Sequence, residues 1–174
     1  MQQNARPDRA RSEALCMSAQ KKPYEILVAE DNPADIGLVR EALRKYEVDC
    51  SLSLVYDGAQ AIVYINRLDA DPGAPRLDLI LLDMQLPKRT GAEVLRCIRS
   101  TERYRRIPVI VMTGGDSNMA REKAVSDPAV SYFTKPCDLN AFLELGLMVR
   151  HILTRGNIGA AAAACRETNA GGNR

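Results

Sequence analysis

The sequence predicts an α/β fold: five parallel strands in one sheet, with helices on both faces. Three observations predict it. Short apolar runs alternate along the chain with longer stretches whose apolar residues recur at helical spacing. The run Leu79 to Leu82, with Leu77 just ahead of it, is apolar without alternation, as in a strand buried on both faces. The composition is rich in aliphatic residues and lacks Trp, which suits a sheet lined with Val, Ile and Leu.

Tyr24 to Ala29 (YEILVA) is the first strand. Glu30-Asp31-Asn32-Pro33 follows as a turn, with Asn32 as N-cap and Pro33 at the first helical position. Ile36, Val39, Leu43 and Tyr46 then recur at helical spacing and predict a helix from Pro33 to Tyr46. Cys50 to Val55 is the second strand, and Asp57-Gly58 opens a helix whose buried face is Ile62, Ile65 and Leu68. Asp69 to Arg76, with Pro72, Gly73 and Pro75, is a loop into the central strand, which ends on Asp83. In open α/β sheets ligands bind just beyond the carboxyl ends of the strands, so the Asp83 carboxylate is expected to be exposed and usable. Pro87 and Gly91 mark the loop that follows, and Thr90 to Glu93 has the spacing of a capping box for a helix continued by Val94, Leu95 and Ile98. Val109 to Met112 is the fourth strand, Thr113 to Ser117 a flexible loop, and Asn118 to Ser126 a weak helix. Ser131 to Thr134 is the fifth strand and Lys135-Pro136 a turn; Asp138 caps a last helix reaching about Leu153.

Charge is unevenly spread. Residues 1–22 carry +3 and residues 155–174 carry +2, which leaves −3 on residues 23–154. The basic balance therefore belongs to two tails expected to be disordered, the second partly helical, and the folded part gives no reason to invoke nucleic acid. Met17 lies close to the first strand and is an alternative start to Met1. Five scattered cysteines without a CxxC pair, and a single histidine, argue against a zinc site and fit reduced thiols in the cytoplasm. No stretch approaches the length of a transmembrane helix.

Five strands with right-handed crossovers suit the doubly wound, flavodoxin-like order 2-1-3-4-5. That order makes the first and third strands neighbours, so Glu30, Asp31 and Asp83 converge in one pocket, and it brings Thr113 and Lys135 to the same edge. Three carboxylates in a small cleft repel one another. A hard divalent cation offsets that repulsion, and magnesium typically uses one or two carboxylates while keeping waters and phosphate oxygens. A lysine and a hydroxyl beside it suit phosphoryl transfer, which asks mainly for positioning and charge stabilisation. A carboxylate among them can be the nucleophile.

From about Glu25 to Leu153 the chain resembles a response-regulator receiver domain. The acidic pair Glu30-Asp31, Asp83 with Pro87 and Gly91 after it, Thr113, and Lys135-Pro136 occur in that family's order and at its intervals. The resemblance implies that Asp83 is the phosphoacceptor, that Asp31 binds Mg2+ directly with Glu30 acting through water, and that the Gln85 backbone carbonyl completes the metal site. It implies that Thr113 and Lys135 contact phosphoryl oxygens, that Tyr132 is the aromatic switch, and that the Lys135-Pro136 bond is cis. EDNPAD, LPKRTGAEVL, IPVIVMTGGD and the longer loop before Leu77 resemble stand-alone regulators paired with bacteriophytochrome kinases. Two departures, Gly114-Gly115 and the lack of Gly-Ala before Tyr132, touch the segment after the fourth strand and not the chemistry.

The function implied is that of a cytoplasmic protein–protein switch, phosphorylated by a sensor histidine kinase and not itself an enzyme on a separate substrate. An aspartate-nucleophile phosphatase of the haloacid dehalogenase type would place a second acid where Gln85 stands. A phosphorylation-independent pseudo-receiver would not need the intact pocket, and the residues after Leu153 are too few and too rich in Ala and Gly for a helix-turn-helix domain. His151 reads as a surface helix residue; Arg96, Arg99, Arg103, Arg105 and Arg106 read as a solvated face opposite the pocket; Asp78 should face away from it. Leu139, Phe142, Leu143, Leu145, Leu147, Met148, Val149, Ile152 and Leu153 spread around most of the last helix, leaving a polar strip of Asn140, Glu144 and His151. One sheet face needs a narrower stripe, so the surplus is either covered within the chain by the preceding helix and the Ala-rich tail or exposed as an interface. The family resemblance implies a homodimer through the fifth strand and last helix.

Overall fold

The computed structural model describes residues 22–114 and 127–155. Its strands are β1 (Tyr24–Ala29), β2 (Cys50–Val55), β3 (Leu79–Asp83), β4 (Val109–Gly114) and β5 (Val130–Lys135). The helices among these residues are α1 (Pro33–Lys45), α2 (Gly58–Ala70), α3 (Gly91–Ser100) and α4 (Leu139–Arg155). All strand pairings are parallel and the order is β2-β1-β3-β4-β5, as the sequence predicts. The expected tails, the helix over Asn118–Ser126 and the loop residues Gly115 to Ser117 lie outside the described residues.

Side chains alternate across a strand, and that alternation divides the core in two. Ile26, Val28, Leu79, Leu81, Ile110, Met112 and Phe133 pack with α1 and α4 on one face of the sheet. Leu27, Ala29, Ile80, Leu82, Val109 and Val111 pack with α2 and α3 on the other. All five residues of β3 are buried, which is why the run carries no polar alternation. The helix starts are fixed locally. Asn32 Oδ1 accepts from Ala34 N at 3.0 Å, Asp57 Oδ1 accepts from Gln60 N at 2.7 Å, and Thr90 and Glu93 form the expected capping box. Asp138 Oδ1 accepts from Ala141 N at 2.8 Å at the start of α4.

Several expectations are corrected. Ile62 is only half-buried, because Ala61, Ile65 and Leu68 form the inner face of α2, and that helix continues through Ala70. Asp78 lies away from the pocket as expected, and there its Oδ2 accepts from Glu25 N at 2.9 Å and ties the start of β3 to β1. The Lys135-Pro136 bond is trans, which costs an X–Pro bond nothing intrinsically because trans is the slightly favoured isomer. Two of the five arginines are not a solvated face. Arg103 donates to the carbonyls of Leu68, Asp71 and Ala74 and so satisfies the C-terminal end of α2. Arg99 pairs with Asp127 at 2.6 Å and donates to the carbonyls of Ile107 and Ala129.

The last helix is apolar around most of its girth because two neighbours cover it. Phe142, Leu145, Met148, Val149 and Ile152 are buried in the cluster that α4 shares with α1 and the sheet. At Gly146 the two helices touch backbone to backbone: a Cβ there would collide with the Ala42 carbonyl oxygen and lie 2.8 Å from Tyr46 Cδ2. Glu144, in the polar strip, accepts from Tyr46 Oη at 2.6 Å and from Lys45 Nζ at 3.4 Å. His151 is half-buried, with Nε2 shielded from solvent and without a hydrogen-bond partner among the described residues, so it is not a plain surface residue. The apolar surplus is thus mostly used within the chain, and Leu139 is the large apolar side chain of α4 that remains exposed.

Candidate functional site

Glu30 directly follows β1, Asp83 ends β3 and Lys135 ends β5. Each continues the alternation Ile26-Val28, Leu79-Leu81 or Phe133, so all three share the face covered by α1 and α4. Lys135 reaches past β4 to the acids. Its Nζ lies 2.6 Å from Asp83 Oδ2, 2.8 Å from Glu30 Oε2 and 2.8 Å from Asp35 Oδ2. Asp83 Oδ1 accepts from Gln85 N at 2.8 Å, so both oxygens of that carboxylate are held. Asp83 is buried, contrary to the expected exposed carboxylate, and Lys135, which also pairs with Asp35 in the first turn of α1, sits on its Oδ2.

Burial is the chief cause that raises the Glu30 carboxyl; the hydrogen bond from Lys135 pulls it back and the charge of Asp83 raises it again, leaving it at about 7. Burial opposes the Lys135 ammonium, but the bonds to Asp35, Asp83 and Glu30 outweigh it and push the lysine above its ordinary value. Lys135 is therefore firmly charged, and the Glu30 carboxyl keeps its proton more readily than an ordinary glutamate does.

Glu30, Asp31 and Asp83 each present an oxygen, and these oxygens lie within 4.8 Å of one another. Asp31 is exposed and gives the set an open side. An oxygen-only donor set of this kind fits a hard divalent cation such as Mg2+. Gln85 sits in the turn directly after Asp83, with its N–H on that carboxylate. Thr113 is buried and follows Met112, which lies opposite Asp83 in the β3–β4 register. Tyr132 is half-buried opposite Val111, two positions below the Thr113–Thr134 pair.

Sequence reasoning missed two contributors. Asp35 stands at the third position of α1, where an acid reads simply as a favourable partner for the helix N-terminus. The signal was the EDNPAD run, in which the cap at Asn32 and Pro33 puts Asp35 in the first turn, above the strand ends. The second is Asp57, whose Oδ2 pairs with Lys88 at 2.6 Å while its Oδ1 caps α2. The bond to Lys88, followed by the one to Gln60, holds the Asp57 carboxyl below its usual range. Lys88 adopts φ 63°, and Pro87 O accepts from Gly58 N at 3.1 Å, so the loop after Asp83 is fastened to the start of α2. Gly91 completes this close packing: a Cβ there would strike the Asp83 carbonyl oxygen and lie 2.7 Å from Met84 Cα.

The family model of the response regulator receiver domain matches residues 26–145. The chain belongs to that family. The receiver is 41% identical to the response regulator Rcp1 of Synechocystis sp. over 91 residues, which span 52% of this chain and 62% of that relative, less than two thirds of its length. The crystal structure of the phosphorylated cyanobacterial phytochrome response regulator RcpA has a TM-score of 0.66 at 32% identity, covering 77% of this receiver and 96% of that chain. The Mn2+-bound form of Rcp1 has a TM-score of 0.63 at 31% identity and covers 76% and 96%. The bacteriophytochrome response regulator RtBRR has a TM-score of 0.59 at 28% identity and covers 85% and 92%. No helix of the described residues is long and apolar enough to cross a membrane.

Proposed function

We propose that this receiver takes a phosphoryl group from a sensor histidine kinase onto Asp83 and thereby switches its contacts with other proteins. The observation that carries the reading is the Asp83 carboxylate held between Lys135 Nζ and the Gln85 N–H, inside a set of acids that fits Mg2+. One Asp83 oxygen attacks the phosphorus, and the bond from phosphorus to the donor imidazole nitrogen breaks with its electron pair staying on that nitrogen. The Gln85 N–H and the Lys135 ammonium fix the carboxylate in one orientation beforehand, which lowers the cost of reaching the transition state. Lys135 then has a phosphoryl oxygen within the reach it now spends on Asp83 Oδ2. Asp31, Asp83 and the Gln85 carbonyl, with Glu30 acting through water, would hold Mg2+, which would supply positive charge against the acids and the incoming phosphoryl oxygens.

Thr113 is the second group assigned to the phosphoryl oxygens, and Tyr132 the switch that follows it. Both share strand parity with Val109 and Val111, on the α2 and α3 side of the sheet, and they sit in neighbouring strands. The receiver spans residues 23–154, acts in the cytoplasm and has no separate substrate of its own. The likeness to Rcp1, RcpA and RtBRR supports a bacteriophytochrome as the partner kinase. A homodimer through β5 and α4 now rests on the edge position of β5 and on exposed Leu139.

Acetyl phosphate with Mg2+ tests the acceptor. Intact mass should show one added phosphoryl group in the wild type and none in Asp83→Asn; an unchanged yield in the variant places the acceptor elsewhere. A phosphotransfer profile against the histidine kinases of the source organism tests the partner.

A further inference from the structure

Four acids converge on the pocket, and the reading of Asp83 as acceptor employs three of them. Glu30, Asp31 and Asp83 bring their oxygens together, and Asp35 stands outside that set. Its Oδ2 instead lies 2.8 Å from Lys135 Nζ. An ammonium has three N–H donors. Those of Lys135 have three carboxylate acceptors, in Asp83, Glu30 and Asp35.

Two of these acceptors have a second claim on them. Glu30 and Asp83 belong to the acid set, so a cation bound there draws on the same carboxylates. Asp83 also gives up one anionic oxygen when that oxygen becomes bonded to phosphorus. Asp35 has neither claim. It is placed by the fold rather than by the lysine: Asn32 caps α1, Pro33 starts it, and Ile36, Val39 and Leu43 seat the helix on the sheet. Its side chain is 19% exposed against 15% for Lys135, so the pair is shielded enough to matter and open enough to form without a buried charge left over.

We propose that Asp35 is a positioning residue for Lys135, holding the ammonium over Asp83 while Glu30 and Asp83 are engaged with the cation and the phosphoryl group. The pocket thus divides its acids: three for the cation, and a fourth, on α1, for the lysine. Asp35 acts through Lys135 and touches no reacting atom. The proposal rests on Asp83 being the acceptor, and its test has one arm that does not.

That arm uses the full chain with saturating Mg2+ and no phosphodonor, so that Glu30 and Asp83 are drawn to the cation. Nitrogen-15 NMR should show a slowly exchanging Lys135 ammonium in the wild type and in Asp35→Glu, and loss of the signal in Asp35→Asn. The other arm measures magnesium affinity by calorimetry and the rate of acetyl phosphate modification at saturating Mg2+. Asp35→Asn should leave the affinity within about twofold and slow the modification about tenfold, the loss of roughly one charge-assisted hydrogen bond, and Asp35→Glu should recover part of the rate. Asp35→Ser gives the same comparison without an amide that hydrogen-bonds in its own right. A wild-type rate and an intact ammonium signal in Asp35→Asn overturn the proposal, and so does a fall in magnesium affinity that matches the fall in rate. Loss of the signal in Asp35→Asn together with an unmodified wild type sinks the acceptor reading and sustains the tether.

Discussion

Replacing Lys135 by Met keeps the aliphatic stem and removes the charge that three acids share. Its three partners lie at 2.6, 2.8 and 2.8 Å, and the side chains of Glu30 and Asp83 are 0% and 7% exposed. Breaking a buried pair by removing one partner costs about 3–5 kcal/mol. Glu30 moderates that cost, since its pKa already stands at about 7, and loss of the lysine removes two influences that lower it. The sign follows from linkage: a carboxyl raised on folding contributes stability that is complete below its unfolded value and is lost as pH rises through the folded value. At pH 5.5 Glu30 in the variant holds its proton and the cluster carries one charge less; at pH 8 keeping that proton costs free energy. We expect metal-free Lys135→Met to lose about 3 kcal/mol at pH 8 and less at pH 5.5. With an m value of about 1.5 kcal/mol/M this is a urea midpoint lower by about 2 M. Added Mg2+ should recover more stability in the variant than in the wild type, because the variant has more uncompensated negative charge. A metal-free midpoint at pH 8 equal to that of the wild type would refute the reasoning.

Gly146→Ala should cost about 1–3 kcal/mol in chemical unfolding, since the new methyl meets the Ala42 carbonyl, and it should leave magnesium affinity unchanged. Asp31→Ala should abolish detectable magnesium binding by calorimetry with no change in the far-ultraviolet circular dichroism spectrum, because Asp31 is exposed and lies outside the core. Sedimentation of residues 17–154 should show a dimer that Leu139→Glu weakens. Leu139 is the apt site because Met148 and Ile152 are buried, and a charge at either would unfold the domain rather than probe an interface.

The sequence was most legible where chemistry and backbone meet. Strand ends can be read because an apolar run stops at a carboxylate or a lysine, and that placed Glu30, Asp83 and Lys135 at one edge of the sheet. The apolar run of β3 gave away its own burial for the same reason. What periodicity does not carry is depth. Asp83 is buried with Lys135, from the end of β5, on its carboxylate, and β5 is not near it in the chain. Asp35 was hidden by its own plausibility as a helix-start acid. The girth of α4 was read as an excess because one buried stripe is the usual requirement, whereas a helix wedged between a sheet and a second helix buries two. Arg99 and Arg103 escaped because a long side chain can serve the ends of elements that composition does not connect.

Arg99 has a mechanical consequence. It grips Asp127 and the carbonyls of Ile107 and Ala129, just ahead of β4 and β5, while Thr113 and Lys135 stand at the opposite ends of those strands. The strand pair is thereby pinned at one end, about 15 Å from the pocket at some 3.3 Å per residue. A displacement at Thr113 then takes the form of a swing about that pin rather than a slide along the strand. Its amplitude would be greatest beside Asp83 and die away toward the arginine, so the far rim of the sheet would serve as the fixed frame against which the other end moves.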